Sequence, residues 1–482
     1  MKEPLVFKIV CTERLSMYFD VVVVGSGNAG QSVSVPLAKA GRSVALVDDL
    51  PLGGTCALRG CTPKKYFVAN REAIDSVRNL EGAGISGTPK AVWEQTMALK
   101  RQFTDPFPES IEGYLKSKGI TIIKGTASFT SPDSLRVSPT KHSENSSGIE
   151  SDLELTFGNL VLACGSHTRE LAIPGIELTI DSEDFLNLSQ APRSMITLGA
   201  GYIAFEFAHV AASYGAKITM IDHNELPLKM FDPQLVRSMI ASSKERGIDM
   251  VLRRGPVKVE KTASSLRVFD DSGASYDAEI VLNAAGRVPR TEELDCQKGM
   301  VELKNGAVVI DPWGRSISNP RVFAAGDVAA GLPMLSPVAN KLADTVTKVL
   351  LAEDADTKGI KPFSSRVIPS TVFTHPPLSC VGLSEAKAKE LYGDDLVINQ
   401  GDTAGWTSSI RIGQRHGGYK VIIQKSTGQI LGAHLLGHGS SELINLFALA
   451  MEAHIPVQIL QDIPWAYPTA VSDISYMINF SV

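Results

Sequence analysis

The stretch Phe19–Gly30 reads FDVVVVGSGNAG, an unbroken apolar run that ends in the glycines Gly25, Gly27 and Gly30. Consecutive valines suit a strand buried on both faces of a parallel sheet. A helical stretch, SVSVPLAKAG, follows, and its Pro36 removes a hydrogen bond and predicts a kink. A second strand, SVALVD, then ends on Asp48. Glycines at this spacing let a pyrophosphate approach the helix N-terminus closely, and an acid at the end of the second strand can hold ribose hydroxyls. The pattern predicts a dinucleotide-binding βαβ unit.

The unit recurs in SMITLGAGYIAFEFAHVAASYGAKITMID, with Gly199, Gly201, Ala204 and Asp222 in the corresponding places and Tyr202 and Ile203 opening the helix. Two such units predict two dinucleotides. Between them, residues 92 to 118 read as helices interrupted at 105–108. Residues 120 to 163 read as strands around an exposed, Ser-rich loop, SPTKHSENSSGIES. Past the second unit, NPRVFAAGDV ends a strand in Gly326 and Asp327, and a helix opens near Pro337. From about residue 363, strands (STVFTH, GYKVIIQ, ILGAHLLG) and helices (LSEAKAKEL, SSELINLFALAMEA) predict an α+β domain. The expected fold class is α/β: two Rossmann-like dinucleotide-binding domains plus a C-terminal α+β dimerisation domain. The expected boundaries are 17–168 for the first part of one dinucleotide domain, 169–290 for the other, 291–362 for the return to the first, and 363–482 for the C-terminal domain.

The net charge of −5, with both signs interspersed, gives no electrostatic footprint for nucleic acid. No apolar run reaches the length of a membrane span, and residues 1–16 lack the cleavage site of a signal peptide. Six cysteines in 482 residues argue against a secreted disulfide framework and for a reducing compartment, the cytoplasm. Two of them, Cys56 and Cys61, sit close together in GGTCALRGC. A pair closing so small a loop gains little stability when oxidised, so it reads as a bond made to be broken. Arg59, Lys64 and Lys65 crowd around it, and cations or a helix N-terminus favour the reactive thiolate. Cys164, Cys296 and Cys380 read as core or surface thiols, and His434 and His438 as packing residues, so no metal site is expected.

With GSGNAG, GGTCALRGCTPKK, GAGYIAFE, NAAGRVPR, FAAGDV, HPPLSCVGLSE and WAYPT in this order, the chain resembles the flavin-dependent pyridine nucleotide disulfide oxidoreductases from about residue 18 to 478. Glutathione reductase, dihydrolipoamide dehydrogenase and mercuric reductase belong to that family. The resemblance implies FAD in the first unit, held by Gly25, Gly27, Gly30 and Asp48, with Gly54, Thr55, Ala127, Gly165, Gly326 and Asp327 lining its site. It implies a nicotinamide cofactor in the second, at Gly199, Gly201, Ile203 and Asp222, with Gly286 and Arg287 at the rim. Tyr202 resembles the family's aromatic gate over the flavin, and Glu206 the acid that pairs with a lysine near it, either Lys64 or Lys65. Cys61 resembles the cysteine that contacts the flavin as a charge-transfer thiolate, and Cys56 the interchange thiol that attacks the substrate. The family pattern also implies a homodimer whose active sites join Cys56 and Cys61 of one subunit to Tyr467 of the other. An acid at Asp222, followed by His223 and Asn224, predicts NAD(H) in preference to NADP(H), although Lys229, Arg253 or Arg254 stand within reach of a 2′-phosphate.

The chain departs from the family at WAYPTAVSD. Tyr467 takes the place of the usual catalytic histidine and Ser472 that of its glutamate, with Asp473 beside it. A phenol with a pKa near 10 is a poor base at pH 7. Mercuric reductases and soluble transhydrogenases also carry a tyrosine near this place, but this chain has no C-terminal cysteine pair and keeps both redox cysteines. Val35 and Asp344 align with the arginines by which glutathione reductase grips its substrate, so glutathione disulfide is not the expected acceptor. The expectation is an enzyme passing electrons from NAD(P)H through FAD and the Cys56–Cys61 disulfide to a small acceptor: a disulfide, a dithiol used in reverse, a quinone or a metal ion. Two alternatives stay open: a transhydrogenase, diaphorase or metal-ion reductase using the same flavin, and a flavin-bound redox sensor or partner-binding subunit.

Overall fold

A computed structural model describes residues 16–87, 89–140, 149–352, 357–364 and 367–480. The Ser-rich loop lies outside the described residues over 141–148, as do residues 1–15. Contacts divide the chain into two compact units. One takes the chain up to Leu58, Pro106–His167 and Val288–Phe363; the other takes Arg59–Asp105, Thr168–Arg287 and the chain from Ser364 onward.

The four valines of the opening run form the central strand of the first unit, Ser16–Val24. It pairs in parallel with Val44–Asp48 on one side, in register Val21↔Val44 to Val24↔Val47, and with Leu153–Leu162 on the other. Thr121–Lys124 extends the sheet beyond Val44–Asp48, and Val322–Ala324 pairs in parallel with Leu153–Leu162. Val22, Val23, Ala45, Leu46, Val161 and Leu162 are fully buried, which explains why these strands read as continuous apolar runs rather than alternating ones. The helix Asn28–Lys39 makes the crossover between the first two strands with Pro36 inside it, and the helix Ser336–Leu351 packs on it through a Thr347 hydroxyl that donates to the Ser32 carbonyl. Thr126–Ser131 and Ser134–Ser138 add an antiparallel hairpin to the same sheet.

The second unit repeats the parallel design. Strands Ile248–Leu252, Lys217–Asp222, Ser194–Leu198 and Ile280–Asn283 lie side by side in parallel, with the helix Tyr202–Ser213 crossing from the third of these to the second. This unit also contains the long helix Cys61–Asn79 and the helix Trp93–Thr104. Its C-terminal portion is a five-stranded antiparallel sheet in the order Ser370–Val372, Leu378–Gly382, Ile430–Leu436, Gly418–Gln424, Leu396–Asp402, covered by the helix Ser440–Glu452. The parallel sheets and the separate antiparallel one together make the α/β class with an α+β C-terminal part. Among the described residues no helix is long and apolar enough to cross a membrane.

One buried charge ties the C-terminal sheet to the parallel-sheet part of this unit. Lys420 on Gly418–Gln424 is almost fully buried, and its Nζ lies 2.6 Å from both Asp232 Oδ2 and Glu385 Oε2. Asp232 also caps the helix Pro233–Glu245, accepting from the Gln234 and Leu235 amides. Removing one partner from such a pair leaves a buried charge without compensation, so Lys420→Met is expected to cost about 3–5 kcal/mol, read as a lower urea midpoint. Hydrogen bonds from Lys389 and Lys420 hold the Glu385 carboxyl down at about 2. Its contribution to stability is therefore complete above its unfolded value near 4.3 and is lost as pH falls toward about 2. Wild-type protein is expected to lose stability across that window, and Glu385→Gln to show a shallower acid slope.

Candidate active site

In the first unit the helix Asn28–Lys39 starts at Gly27 with no side-chain cap, so its first amides stay available to an anion. The glycines are there because nothing larger fits. A Cβ on Gly30 would lie 1.8 Å from the Gly25 carbonyl oxygen, and one on Gly54, which has φ +71°, would lie 2.4 Å from Gly27 Cα. The second contact seats the start of the cysteine loop directly on the glycine turn. Asp48 accepts from the Ser26 amide at 2.6 Å and from the Leu50 amide at 3.0 Å. Burial pushes its carboxyl up, and these hydrogen bonds oppose that. Each carboxylate oxygen keeps a further acceptor position for a ribose hydroxyl. Across the same unit the Ser166 hydroxyl donates to Asp327 Oδ2 at 2.7 Å, between the turns at Gly165 and Gly326, and Ala127 is buried on Thr126–Ser131. Thr55 is exposed at the start of a single wide turn, Thr55–Arg59, that carries a half-buried Cys56. These residues fit a dinucleotide: a glycine cradle for the pyrophosphate and an acid toward its ribose.

Sequence reading missed a neighbour of this cradle. Arg290 grips Asp49 with both arms, at 2.9 Å and 2.5 Å. The only signal was the doubled acid at 48–49 and the second arginine of GRVPR. Cys164, half-buried behind the turn, has its thiol pushed up to about 12 by desolvation, and burial raises Cys296 to about 11 and Cys380 to about 12. All three stay thiols at neutral pH.

In the second unit Cys61 is the first residue of the 19-residue helix Cys61–Asn79, exposed, with Gly60 as an N-cap that donates no side chain. The positive end of the helix favours thiolate there. One turn on, Lys64 forms an ion pair with Glu206, both almost out of solvent. Glu206 Oε1 also accepts the Phe373 amide at 2.9 Å. Lys65 turns elsewhere: its Nζ stands 4.0 Å from the centre of the Phe373 ring and 3.9 Å from Glu72. Of the two lysines it is therefore Lys64 that meets the acid. Arg59 directs its Nε at Glu183, 3.5 Å away.

The glycine turn of this unit is built like the first. Gly201 caps Tyr202–Ser213 without a side-chain bond, Tyr202 is 41 % exposed at the helix start, and Ile203 is half-buried behind it. Asp222 Oδ2 accepts from the Ala200 amide at 2.7 Å, while Oδ1 accepts from the amide and the side chain of Asn224. Arg253, at φ +60°, donates its amide to the Asn224 carbonyl and pairs with Glu225 at 2.5 Å; the Arg254 amide donates to the Asp222 carbonyl. At the rim Gly286 accepts from the Arg169 amide, with the half-buried Arg287 next to it. An uncapped helix start and a strand-end acid suit a pyridine nucleotide in the same way.

Near the C-terminus Tyr467 is 74 % exposed. The Ser472 hydroxyl is spent on the Thr469 carbonyl at 2.7 Å. Asp473 is pushed up by burial and faces Ser408 and Arg411. Neither residue at the expected acid position is directed at the phenol. Among the described residues no group of three or more His, Cys, Asp or Glu could hold a metal ion.

Comparison with known proteins bears on both units. The family described as pyridine nucleotide-disulphide oxidoreductase matches residues 19–343, and its dimerisation domain matches residues 368–477. The chain is similar to the dihydrolipoyl dehydrogenase of Bacillus subtilis (strain 168), 26 % identical over 93 % of this chain and 95 % of that one. It is also similar to that of Staphylococcus aureus, 28 % identical over 93 % and 94 %. Among solved structures it is similar to the HOCl-induced flavoprotein disulfide reductase RclA from Escherichia coli, at TM-score 0.82 and 27 % identity over 95 % of this chain and 99 % of that one. A Cu(II) complex of RclA superposes at TM-score 0.83 with 28 % identity, over 96 % of this chain and 99 % of that one. These relatives are enzymes, which sets aside the reading as a non-catalytic flavin-bound subunit. With two cradles suited to dinucleotides and this likeness along nearly its whole length, the chain belongs to the pyridine nucleotide-disulphide oxidoreductase family and is an FAD-dependent, NAD(P)H-dependent disulfide oxidoreductase.

Proposed function

We propose that this enzyme is an NADH-preferring homodimeric reductase of the cytoplasm whose Cys56–Cys61 pair delivers electrons to an acceptor needing no protein acid or base, a cupric ion before a quinone or disulfide. The observation that carries the reading is that a phenol, Tyr467, stands in the histidine's place while Ser472 and Asp473 turn to other partners. FAD, when bound at the first cradle, supplies two-electron transfer between the nicotinamide and the cysteine pair. The residues do the rest. The N-terminus of Cys61–Asn79 stabilises the Cys61 thiolate, and Cys56 meets the acceptor. Two electrons from the Cys61 thiolate and the Cys56 thiol reduce two cupric ions to cuprous ions as the S–S bond forms, and the one thiol proton, that of Cys56, leaves to solvent. No imidazole is needed for that step. The Cu(II) complexes of RclA give the acceptor class further support.

The choice of NADH rests on charge. The Asp222 carboxylate stands at the strand end, and Glu225 neutralises Arg253, the cation hydrogen-bonded to the adjoining loop. A 2′-phosphate would meet two acids before it met a free guanidinium. A dimer is supported by the match to the dimerisation domain and by exposed Leu449, Ile459 and Tyr467 in that segment.

Three outcomes are expected. In steady-state assays of the FAD-loaded enzyme, NADH-driven cupric reduction outpaces glutathione disulfide and lipoamide reduction, and Cys56→Ser or Cys61→Ser lowers it about 100-fold or more. Tyr467→Phe stays within about threefold, since the phenol is not asked to move a proton. Collapse of the phenylalanine variant, or faster turnover with a disulfide, would refute the acceptor assignment. Second, kcat/KM is higher for NADH than for NADPH, and Glu225→Gln narrows the gap about fivefold, the worth of an exposed ion pair near 1 kcal/mol. A wild-type preference for NADPH sinks the cofactor reading. Third, light scattering gives a dimer, and Leu449→Glu shifts it to monomer; a wild-type protein that runs as a monomer would contradict the dimer reading.

A further inference from the structure

The second unit contains a polar cleft of about 620 Å³ that has no part in the chemistry above. Its walls are the C-terminal end of the helix Cys61–Asn79, the ends of Tyr202–Ser213 and Pro233–Glu245, the His375–Pro376 turn and residues 413–416. A volume of this size is within the range of small-molecule pockets.

The acids of the cleft are already engaged. Asp75, 3 % exposed, lies 3.5 Å from Arg246 Nε and 4.0 Å from Arg71 Nη1, and Glu245 lies 2.8 Å from His416 Nε2. Arg246 spends its remaining donors on Ser242 and Asn79. Arg78 and Arg415 also line the cleft; Arg78 acts on Asp75 and Arg415 on Glu245 through their fields, without an ion pair inside 4 Å. The buried groups behind the wall lean the same way. Arg71 Nε, Arg71 Nη1 and Arg246 Nε are donors without a hydrogen-bond partner, against Asp75 Oδ2 as the one such acceptor. Desolvation, reinforced by the positive field of Arg246 and Arg71, drives His375 down to about 2, and burial likewise keeps His209 neutral. Asn79 accordingly donates to His375 Nε2, at 3.0 Å.

Helix C-termini carry partial negative charge, which accounts for arginines at Arg78 and Arg246, the last turn and the C-cap of their helices. Arg415 is on an irregular stretch between Thr407–Ile410 and Gly418–Gln424, at no helix end, and the acid it acts on, Glu245, is already held by His416. Guanidinium forks match the geometry of phosphate oxygens. Ser242, Asn79 and Gln414 line the rest of the cleft, each hydrogen-bonded within the fold and each keeping a lone pair or amide hydrogen for a hydroxyl.

We propose that this cleft binds a small hydroxylated phosphate monoester, its phosphate held by Arg78 and Arg415 and its hydroxyls by Asn79, Ser242 and Gln414. The site is separate from the nicotinamide cradle at Gly199–Gly201 and shares none of the residues assigned to it. Binding is to be measured by calorimetry on the full-length, FAD-loaded enzyme with ribose 5-phosphate, inorganic phosphate and ribose as probes. Ribose 5-phosphate is expected to bind at submillimolar concentration, inorganic phosphate about tenfold more weakly, and ribose not at all. Arg415→Gln and Arg78→Gln are each expected to weaken ribose 5-phosphate about tenfold while leaving NADH-driven turnover unchanged. Saturating NADH should not compete. No heat with ribose 5-phosphate, equal binding by the double variant, or competition by NADH would each overturn the proposal; so would binding confined to a monomeric variant, which would mean that a second copy of the chain fills the cleft.

Discussion

Glu206 is a carboxylate 3 % exposed to solvent, and a charge so buried survives only if it is paired and hydrogen-bonded. The cluster draws on three places. Lys64 belongs to the helix that begins at Cys61, Glu206 itself to the fingerprint helix of the nicotinamide fold, and the Phe373 amide to the entry of the C-terminal sheet. The Phe373 ring then lies beneath Lys65 and within 5.3 Å of Lys64 Nζ. Three residues along the same helix His209, buried and neutral, accepts the His375 amide at 3.4 Å and meets Ser243 through its other nitrogen. Helix and chain segment are thus pinned at two successive points, 206 to 373 and 209 to 375. Removing Lys64 would leave the buried Glu206 carboxylate with the Phe373 amide but no counter-charge, so the cost of an unpaired buried charge fixes the lysine where it stands.

The two glycine turns show one device used twice. In each, the amide of the residue between the first two glycines, Ser26 or Ala200, donates to the acid at the end of the second strand, Asp48 or Asp222. An aspartate reaches this amide while its strand stays in register, so the acid stiffens the turn before any ribose arrives. The carboxylate has capacity for both tasks at Asp48, where each oxygen accepts one amide. At Asp222 one oxygen is already doubly used by Asn224, and the ribose must share what remains.

Much of this architecture could be read from the chain. Both βαβ units, the helices on either side of 105–108 and the α+β C-terminal pattern follow from periodicity and glycine placement, which are local properties of the sequence. What could not be read is set by contacts distant along the chain. Lys64 and Lys65 are equivalent as letters, and only the direction of the helix face gives Glu206 to the first and the Phe373 ring to the second. Arg290 finds Asp49 across 241 positions, a pairing that no short motif encodes. Asp473 stood beside Ser472 as a possible acid for Tyr467, yet the backbone turns it toward Ser408 and Arg411. Adjacency in sequence says nothing about which way a side chain leaves a turn.

That same distinction changes the account of the reactive cysteine. Arg59, Lys64 and Lys65 look in sequence like a cationic ring around the pair, a sufficient reason for thiolate. In the folded chain Arg59 faces Glu183 and Lys64 faces Glu206, so each brings an opposite charge with it. Lys65 is half-exposed, shared between Glu72 and an aromatic ring, and burial lowers its own pKa. The field left to act on Cys61 is then chiefly that of the helix it opens, whose first amides have no side-chain cap because Gly60 precedes them. A helix N-terminus is worth up to about 2 kcal/mol to an anion in a favourable, partly buried place. Unlike a histidine it neither titrates nor carries a proton. A thiolate held in this way keeps its stabilisation across the whole neutral pH range.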